Sequence, residues 1–140
     1  MATIKLEIVS PDKIVYTADI NMLIVRSTVG ELGILPHHAP MVTGLVPHAM
    51  RMKIGDTESL IAVAGGFMEV QPDKITVLAS AAELPVEIDV LRAQKAYERA
   101  KQRLEALKDG KKTDPPIDSI RAEIALKRAL ARLQASGHSF

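Results

Sequence analysis

Residues 88–104 and 117–133 follow one frame, I-D-x-x-R-A-x-x-A-x-x-R-A-x-x-R-L, repeated at an offset of 29 residues. At roughly 100° per residue, Arg92, Arg99 and Arg103 fall on one line of a helix, beside an apolar stripe of Ala93, Tyr97, Ala100 and Leu104. Arg121, Arg128 and Arg132 repeat that line beside Ala122, Leu126, Ala129 and Leu133. Two such helices folded antiparallel on their stripes are related by a pseudo-twofold axis perpendicular to the plane of the pair, which keeps both arginine lines on one side. Six guanidinium groups are then expected to crowd a single face. Like charges at helical neighbour spacing cost roughly 0.2–0.5 kcal/mol per pair, so that face calls for an anionic partner. On the first helix Glu98, Lys101, Glu105 and Lys108 alternate in sign, which marks ordinary solvated surface.

The spacing changes at Pro85. Upstream, short apolar runs are separated by turn formers such as Ser10-Pro11-Asp12, Gly55-Asp56, Gly65-Gly66 and Pro72-Asp73. These runs predict strands at 4–9, 14–18, 21–27, 49–54, 59–64, 67–71 and 74–79, and the alternation of Ile4-Lys5-Leu6-Glu7-Ile8 marks a half-buried one. The segment 27–40 reads as a loop, with glycines supplying positive φ and Ile34-Leu35 plugging the end of the sheet. The expected fold class is therefore α+β. An N-terminal antiparallel β-sandwich or barrel over residues 1–84 precedes a C-terminal antiparallel two-helix hairpin over residues 85–140. Asp89 or Glu87 is placed to cap the first helix, and Asp114 before Pro115 to cap the second.

Charge divides at the same point. Residues 1–84 carry six Lys/Arg against nine Asp/Glu, and residues 85–140 carry twelve against eight. Such opposition suits an arm that docks on its own domain or on an acidic partner. The absence of cysteine removes disulfides, thiolate metal sites and thiol nucleophiles. With no Trp, two Phe and two Tyr, the chain lacks the stacking faces of a single-strand nucleic-acid platform, and no nucleic-acid partner is expected. No apolar run approaches the ~18 residues of a membrane span and no signal-peptide pattern is present, so a soluble chain without membrane insertion is expected.

Metal chemistry has weak candidates in Glu31, His37, His38 and His48. Adjacent histidines point apart in extended chain, no properly spaced third ligand follows, and no metal is expected. Nor do Gly30 and Gly33 make a phosphate cradle, since no helix and Lys-Ser/Thr pair follow them.

Three stretches carry a family resemblance: Pro11-Asp12-x-x-Val15-Tyr16, Gly30-Glu31-Leu32-Gly33-Ile34-Leu35-Pro36-x-His38-Ala39-Pro40, and Ala64-Gly65-Gly66-Phe67-x-Glu69-Val70. Together they resemble the epsilon subunits of bacterial F-type ATP synthases, over nearly the whole chain. The resemblance implies a non-catalytic subunit of the central rotor, docked through its β-domain on the gamma subunit and the c-subunit ring, with Glu31 and His38 near that ring. It implies a peripheral location on the cytoplasmic face of the bacterial cell membrane.

The second half also resembles those epsilon subunits that bind ATP, through Ile88-Asp89-x-x-Arg92-Ala93. Carried over by position, Glu83, Ile88, Asp89, Arg92, Ala93, Arg99, Arg128 and Arg132 are implied to surround the nucleotide. Asp89 and Ala93 would lie by the adenosine and the arginines by the phosphates. ATP is then a regulatory ligand, with or without magnesium, and no catalytic cofactor is expected. In an extended hairpin, Arg99, Arg103, Arg121 and Arg128 are implied to meet the catalytic beta subunits of the alpha/beta head and oppose hydrolysis. The stretch from Lys108 to Pro116 is longer and more basic than the short link typical of such relatives. A different class of function, a stand-alone ATP sensor or a basic helical adaptor without a rotor role, would share the hairpin and lack the docking.

Overall fold

The computed structural model describes residues 2–110, 112 and 116–137, with the main chain alone at residue 86. Ten strands run in order β1 (Ile4–Val9), β2 (Ile14–Ile20), β3 (Met22–Ser27), β4 (Gly30–Ile34), β5 (Met41–Leu45), β6 (His48–Ile54), β7 (Thr57–Val63), β8 (Gly66–Val70), β9 (Lys74–Ala79) and β10 (Ala82–Glu83). They form one curled sheet in the order β10-β7-β6-β3-β5-β8-β9-β1-β2, with β4 paired to β3. β2 returns into contact with β6, so the sheet nearly closes on itself.

The seven expected strands are present with ends shifted by a residue or two. Strands β5 and β10 were not expected, and two further features depart from expectation. β1 pairs with β9 in parallel, Leu6 opposite Ile75 and Ile8 opposite Val77, where an all-antiparallel domain was expected. Curling brings the last long strand back beside the first, and their direction is then set by the path of the chain. The segment 27–40 is also not all loop: Gly30–Ile34 is β4, which closes a tight hairpin with β3. Its two glycines hid the strand signal. Ser27, buried at 3% exposure, accepts from Val29 N at 3.2 Å and donates to Gly30 O at 2.7 Å, which fixes the turn.

Alternate residues of each strand fill the interior. Ile4, Leu6 and Ile8 of β1 meet Leu23, Met52, Ile61, Met68, Ile75 and Val77 in a core built from aliphatic side chains and methionine. Each buried side chain of this size contributes about 1.5–3 kcal/mol. At one point the packing tolerates no side chain. Gly66 has φ +142°, and a Cβ there would collide with the Leu78 carbonyl oxygen and stand 3.0 Å from Ala79 Cα.

Beyond a single 3-10 turn at Pro85–Glu87 come the helices α1 (Val90–Lys108) and α2 (Ser119–Ala135). Asp89 caps α1 by accepting from Arg92 N at 3.0 Å, and Asp118 caps α2 by accepting from Arg121 N at 3.2 Å. The expected cap at Asp114 lies outside the described residues, and α2 begins four residues beyond Pro115 with a cap of its own. The repeated frame thus starts both helices at the same register. Ala93 and Ala100 of α1, with Ala122, Ala129 and Leu133 of α2, are buried as the apolar stripes require. α2 also packs on β6 and β7. Ala135 meets Ala49, Ala62 and Ile88 there, so the seat of the hairpin is made largely of alanine.

Candidate functional site

The start of α1, the end of α2 and strand β10 converge on a recess of about 430 Å3. Each wall follows from local structure. Asp89 is held at the mouth because it caps α1, which occupies its Oδ1; Oδ2 has no hydrogen-bond partner among the described residues. Arg92 and Arg99 are two turns apart on α1, with Ala93 and Ala96 as the low floor between them. Glu87 is fixed by the 3-10 turn, where its Oε1 accepts from Leu84 N at 3.2 Å. Across the recess, Arg132 of α2 donates through Nε to Glu83 Oε1 of β10 at 2.6 Å. Both side chains of that pair are about one third exposed, at 34% and 30%.

Lys95 completes the lining, so Arg92, Lys95, Arg99 and Arg132 face Glu83, Glu87 and Asp89. Glu83 is committed to Arg132. The guanidinium groups of Arg92 and Arg99 form no ion pair with any described residue and are exposed to solvent. What the recess can do chemically is hold an anion by forked N–H donors while offering carboxylate acceptors at its mouth.

Of the residues implied for nucleotide contact, Glu83, Asp89, Arg92, Ala93, Arg99 and Arg132 come together here. Ile88 does not line the recess and is buried at 9% exposure in a cluster with Ala49, Ala62 and Ala135. Arg128 falls outside. It lines an adjoining crevice of about 10 Å3 with Ala62, Val63 and Arg132. Sequence reasoning passed over Lys95 and Ala96. The signal for both was present, since Lys95 sits three residues after Arg92 and four before Arg99, on the same side of the helix.

The arginines expected to share a single face are spread along the length of the hairpin. Arg92, Arg99 and Arg132 gather at one end of the hairpin, whereas Arg103 and Arg121 line a second recess at the other end. Arg92 and Arg103 are eleven residues apart, about 16 Å along the axis, but Arg99 and Arg103 are a single turn apart, so repulsion between the two groups persists where they adjoin.

The candidate residues of the sheet are not assembled. Glu31 lies near the start of β4, opposite Arg26 and exposed, and His38 lies beyond the end of that strand. His38 Nδ1 is 2.7 Å from Ala39 O and His48 Nδ1 is 3.0 Å from Ala49 O. His37 adopts φ 65° and donates its main-chain N–H to Pro72 O at 2.9 Å. Among the described residues no three His, Asp or Glu side chains come together to hold a metal ion.

The outer sheet surface carries a feature that strand patterns did not single out. Val42 of β5, Phe67 of β8 and Leu78 of β9 are 71%, 62% and 53% exposed. Phe67 lies opposite both Gly44 and Leu78 in the register, so the three point outward from neighbouring strands. No described helix is long and apolar enough to cross a membrane.

Comparison with known proteins accounts for both halves. Residues 3–85 match the beta-sandwich domain of the ATP synthase delta/epsilon chain, and residues 87–137 match its long alpha-helix domain. The ATP synthase epsilon chain of Alkalihalophilus pseudofirmus is 53% identical over 108 residues, covering 77% of this chain and 81% of that one. That of Bacillus subtilis is 49% identical over 109 residues, covering 78% and 83%. In fold, the chain is similar to a subunit in the Euglena gracilis mitochondrial ATP synthase OSCP/F1/c-ring structure, with a TM-score of 0.77 at 24% identity over 99% of this chain and 83% of that one. A chain of the Tetrahymena thermophila mitochondrial central stalk and c-ring gives a TM-score of 0.52 at 12% identity, covering 63% and 71%. With both domain profiles matched in order and bacterial epsilon chains about half identical across most of its length, this chain belongs to the ATP synthase delta/epsilon family as an epsilon subunit.

Proposed function

We propose that this epsilon subunit is a non-catalytic part of the central rotor whose helical hairpin acts as an ATP-sensitive brake on hydrolysis. The observation that carries the reading is the origin of the recess walls: Glu83 from the sheet, Arg92 and Arg99 from α1, and Arg132 from α2. Those groups meet only while the hairpin lies folded on the sheet. A ligand held by all three elements therefore favours the compact form by its own binding free energy. The volume, about 430 Å3, is within the ~300–1,000 Å3 range of small-molecule sites.

ATP suits the chemistry. Its phosphates accept forked bonds from Arg92, Arg99 and Arg132, each worth ~1.5–3 kcal/mol before desolvation losses. Asp89 and Ala93 stand by the adenosine, and magnesium on the phosphates is compatible with the carboxylates at the mouth. Bound to the compact form alone, ATP stabilises it by about 2.7 kcal/mol at a hundredfold excess over Kd. When ATP falls, the hairpin is free to leave its alanine seat and extend, and Arg99, Arg103, Arg121 and Arg128 then meet acidic surfaces of the catalytic beta subunits. That contact blocks rotation in the direction of hydrolysis.

Docking to the gamma subunit and c ring belongs to the sheet, with Glu31 and His38 at the loops and the exposed Val42, Phe67 and Leu78 as the apolar surface a constant partner would cover. The subunit is thereby peripheral, at the cytoplasmic face of the cell membrane. The test of the nucleotide reading is calorimetric titration of ATP into the full chain and into Arg92→Ala. The expected result is saturable binding weakened at least about tenfold by loss of one charge-assisted pair; an unaltered isotherm would remove Arg92 from the site.

A further inference from the structure

The second recess, at the opposite end of the hairpin, is the pseudosymmetric partner of the first. Its volume is about 420 Å3 against about 430 Å3. The 29-residue offset relates Asp89 to Asp118, Arg92 to Arg121 and Ala93 to Ala122, and all three partners line it. The relation also runs backwards, as a twofold axis requires. Arg132 of α2 reaches into the first recess from across the hairpin, and its counterpart on α1, Arg103, reaches into the second.

Where the copies differ, the second recess is the more open to an anion. Just ahead of the repeated frame, Glu87 lines the first recess and Pro116, 29 residues on, lines the second. Arg132 is held by Glu83 at 2.6 Å, whereas Arg103 and Arg121 form no ion pair with any described residue. Asp118, the one carboxylate among the described residues of the lining, is turned to the α2 main chain as a cap. The helix end is thus already satisfied, and recognition falls to two guanidinium groups supplied by two different helices.

We propose that Arg103 and Arg121 form a second binding site for a small polyphosphate-type anion, built by the same duplication that built the first. Two forked donors without a carboxylate partner among the described residues match a group carrying at least two negative charges, as in inorganic pyrophosphate or the phosphate chain of a nucleotide. An anion there neutralises the pair of arginines assigned above to the catalytic head, so it would keep the arm from engaging even in chains whose first recess is empty. The site rests on its own geometry and does not require ATP in the first.

The experiment is titration of the full chain with inorganic pyrophosphate in a background carrying Arg92→Gln and Arg99→Gln, with helix content checked by circular dichroism. One binding event per chain is expected to remain, and adding Arg103→Gln and Arg121→Gln is expected to weaken it at least about tenfold. In the unmodified chain, the side-chain Nε–H resonances of Arg103 and Arg121 are expected to shift during the same titration. Absence of binding in the background, binding indifferent to Arg103 and Arg121, or resonances that stay fixed would each overturn the site. A titration with ATP separates the two sources of phosphate. If the unmodified chain shows a single event that depends on Arg103 and Arg121 and not on Arg92, the second site stands and the first reading fails.

Discussion

Asp89 serves the helix and the recess at once, and the two roles separate by substitution. Asp89→Asn keeps a good N-cap, so α1 should lose only a few tenths of a kcal/mol, whereas Asp89→Ala should lose about 1 kcal/mol in a helix melt followed by circular dichroism. Both variants are expected to weaken ATP binding at least about tenfold if the carboxylate itself meets the ligand; weakening by Ala alone would reduce Asp89 to a cap. Gly66 makes a different kind of demand. Its φ of +142° and the collision of any Cβ with the Leu78 carbonyl make Gly66→Ala costly, by about 2 kcal/mol or more, read as a lower urea midpoint of the sheet domain. At this level the sequence was readable where a residue acts on its neighbours: the Asp89 cap and the Gly65-Gly66 turn follow from adjacent residues. Partners such as Glu83 and Arg132, 49 positions apart, were reached through family resemblance and not from spacing.

The hairpin is seated on small side chains. Ala131 and Ala135 of α2 face Ala49, Ala62 and Val63 of the sheet, and small side chains bury little apolar area compared with the aliphatic core. Replacing Ala131 by Leu should overpack this seat by about 1–3 kcal/mol. The expected outcome is faster amide exchange in α1 and α2 with the exchange of β1 and β9 unchanged; a uniform loss of protection would mean that the seat is part of one cooperative core. Glu83→Gln should loosen the same contact by no more than about 1 kcal/mol, because the pair with Arg132 is partly exposed. The helices were legible because a 17-residue frame written twice leaves little choice of period. β4 and β5 were not, since the glycines of one and the prolines around the other, Pro40 and Pro47, imitate loop chemistry. The parallel pairing of β1 with β9 was equally hidden, because closure of a sheet is decided by all of its strands together.

The whole molecule is a nearly closed sheet with a charged hairpin folded over it, and its proposed behaviour depends on the balance between that arrangement and an extended one. The duplicated frame supplies both outcomes. Its alanine stripes zip the helices together, and its arginines, divided between two ends, can be satisfied by an anion in the compact form or by an acidic surface in the extended form. The sheet surface of Val42, Phe67 and Leu78 would stay docked in either. Because the chain has no cysteine, two can be introduced for a pair of fluorophores, at the exposed Asp56 of the β6–β7 turn and the exposed Gln134 near the end of α2, whose neighbour Ala135 shares a recess with Glu58 and Ser59. The decisive measurement is the single-molecule distance distribution between these labels as ATP is added to the full chain. The account predicts that ATP moves chains from a long-distance to a short-distance population, by up to about a hundredfold in their ratio at a hundredfold excess over Kd, and that Arg92→Ala cuts the movement at least about tenfold at the same ATP concentration. A distribution unchanged at saturating ATP, or one that shifts equally in Arg92→Ala, would contradict it.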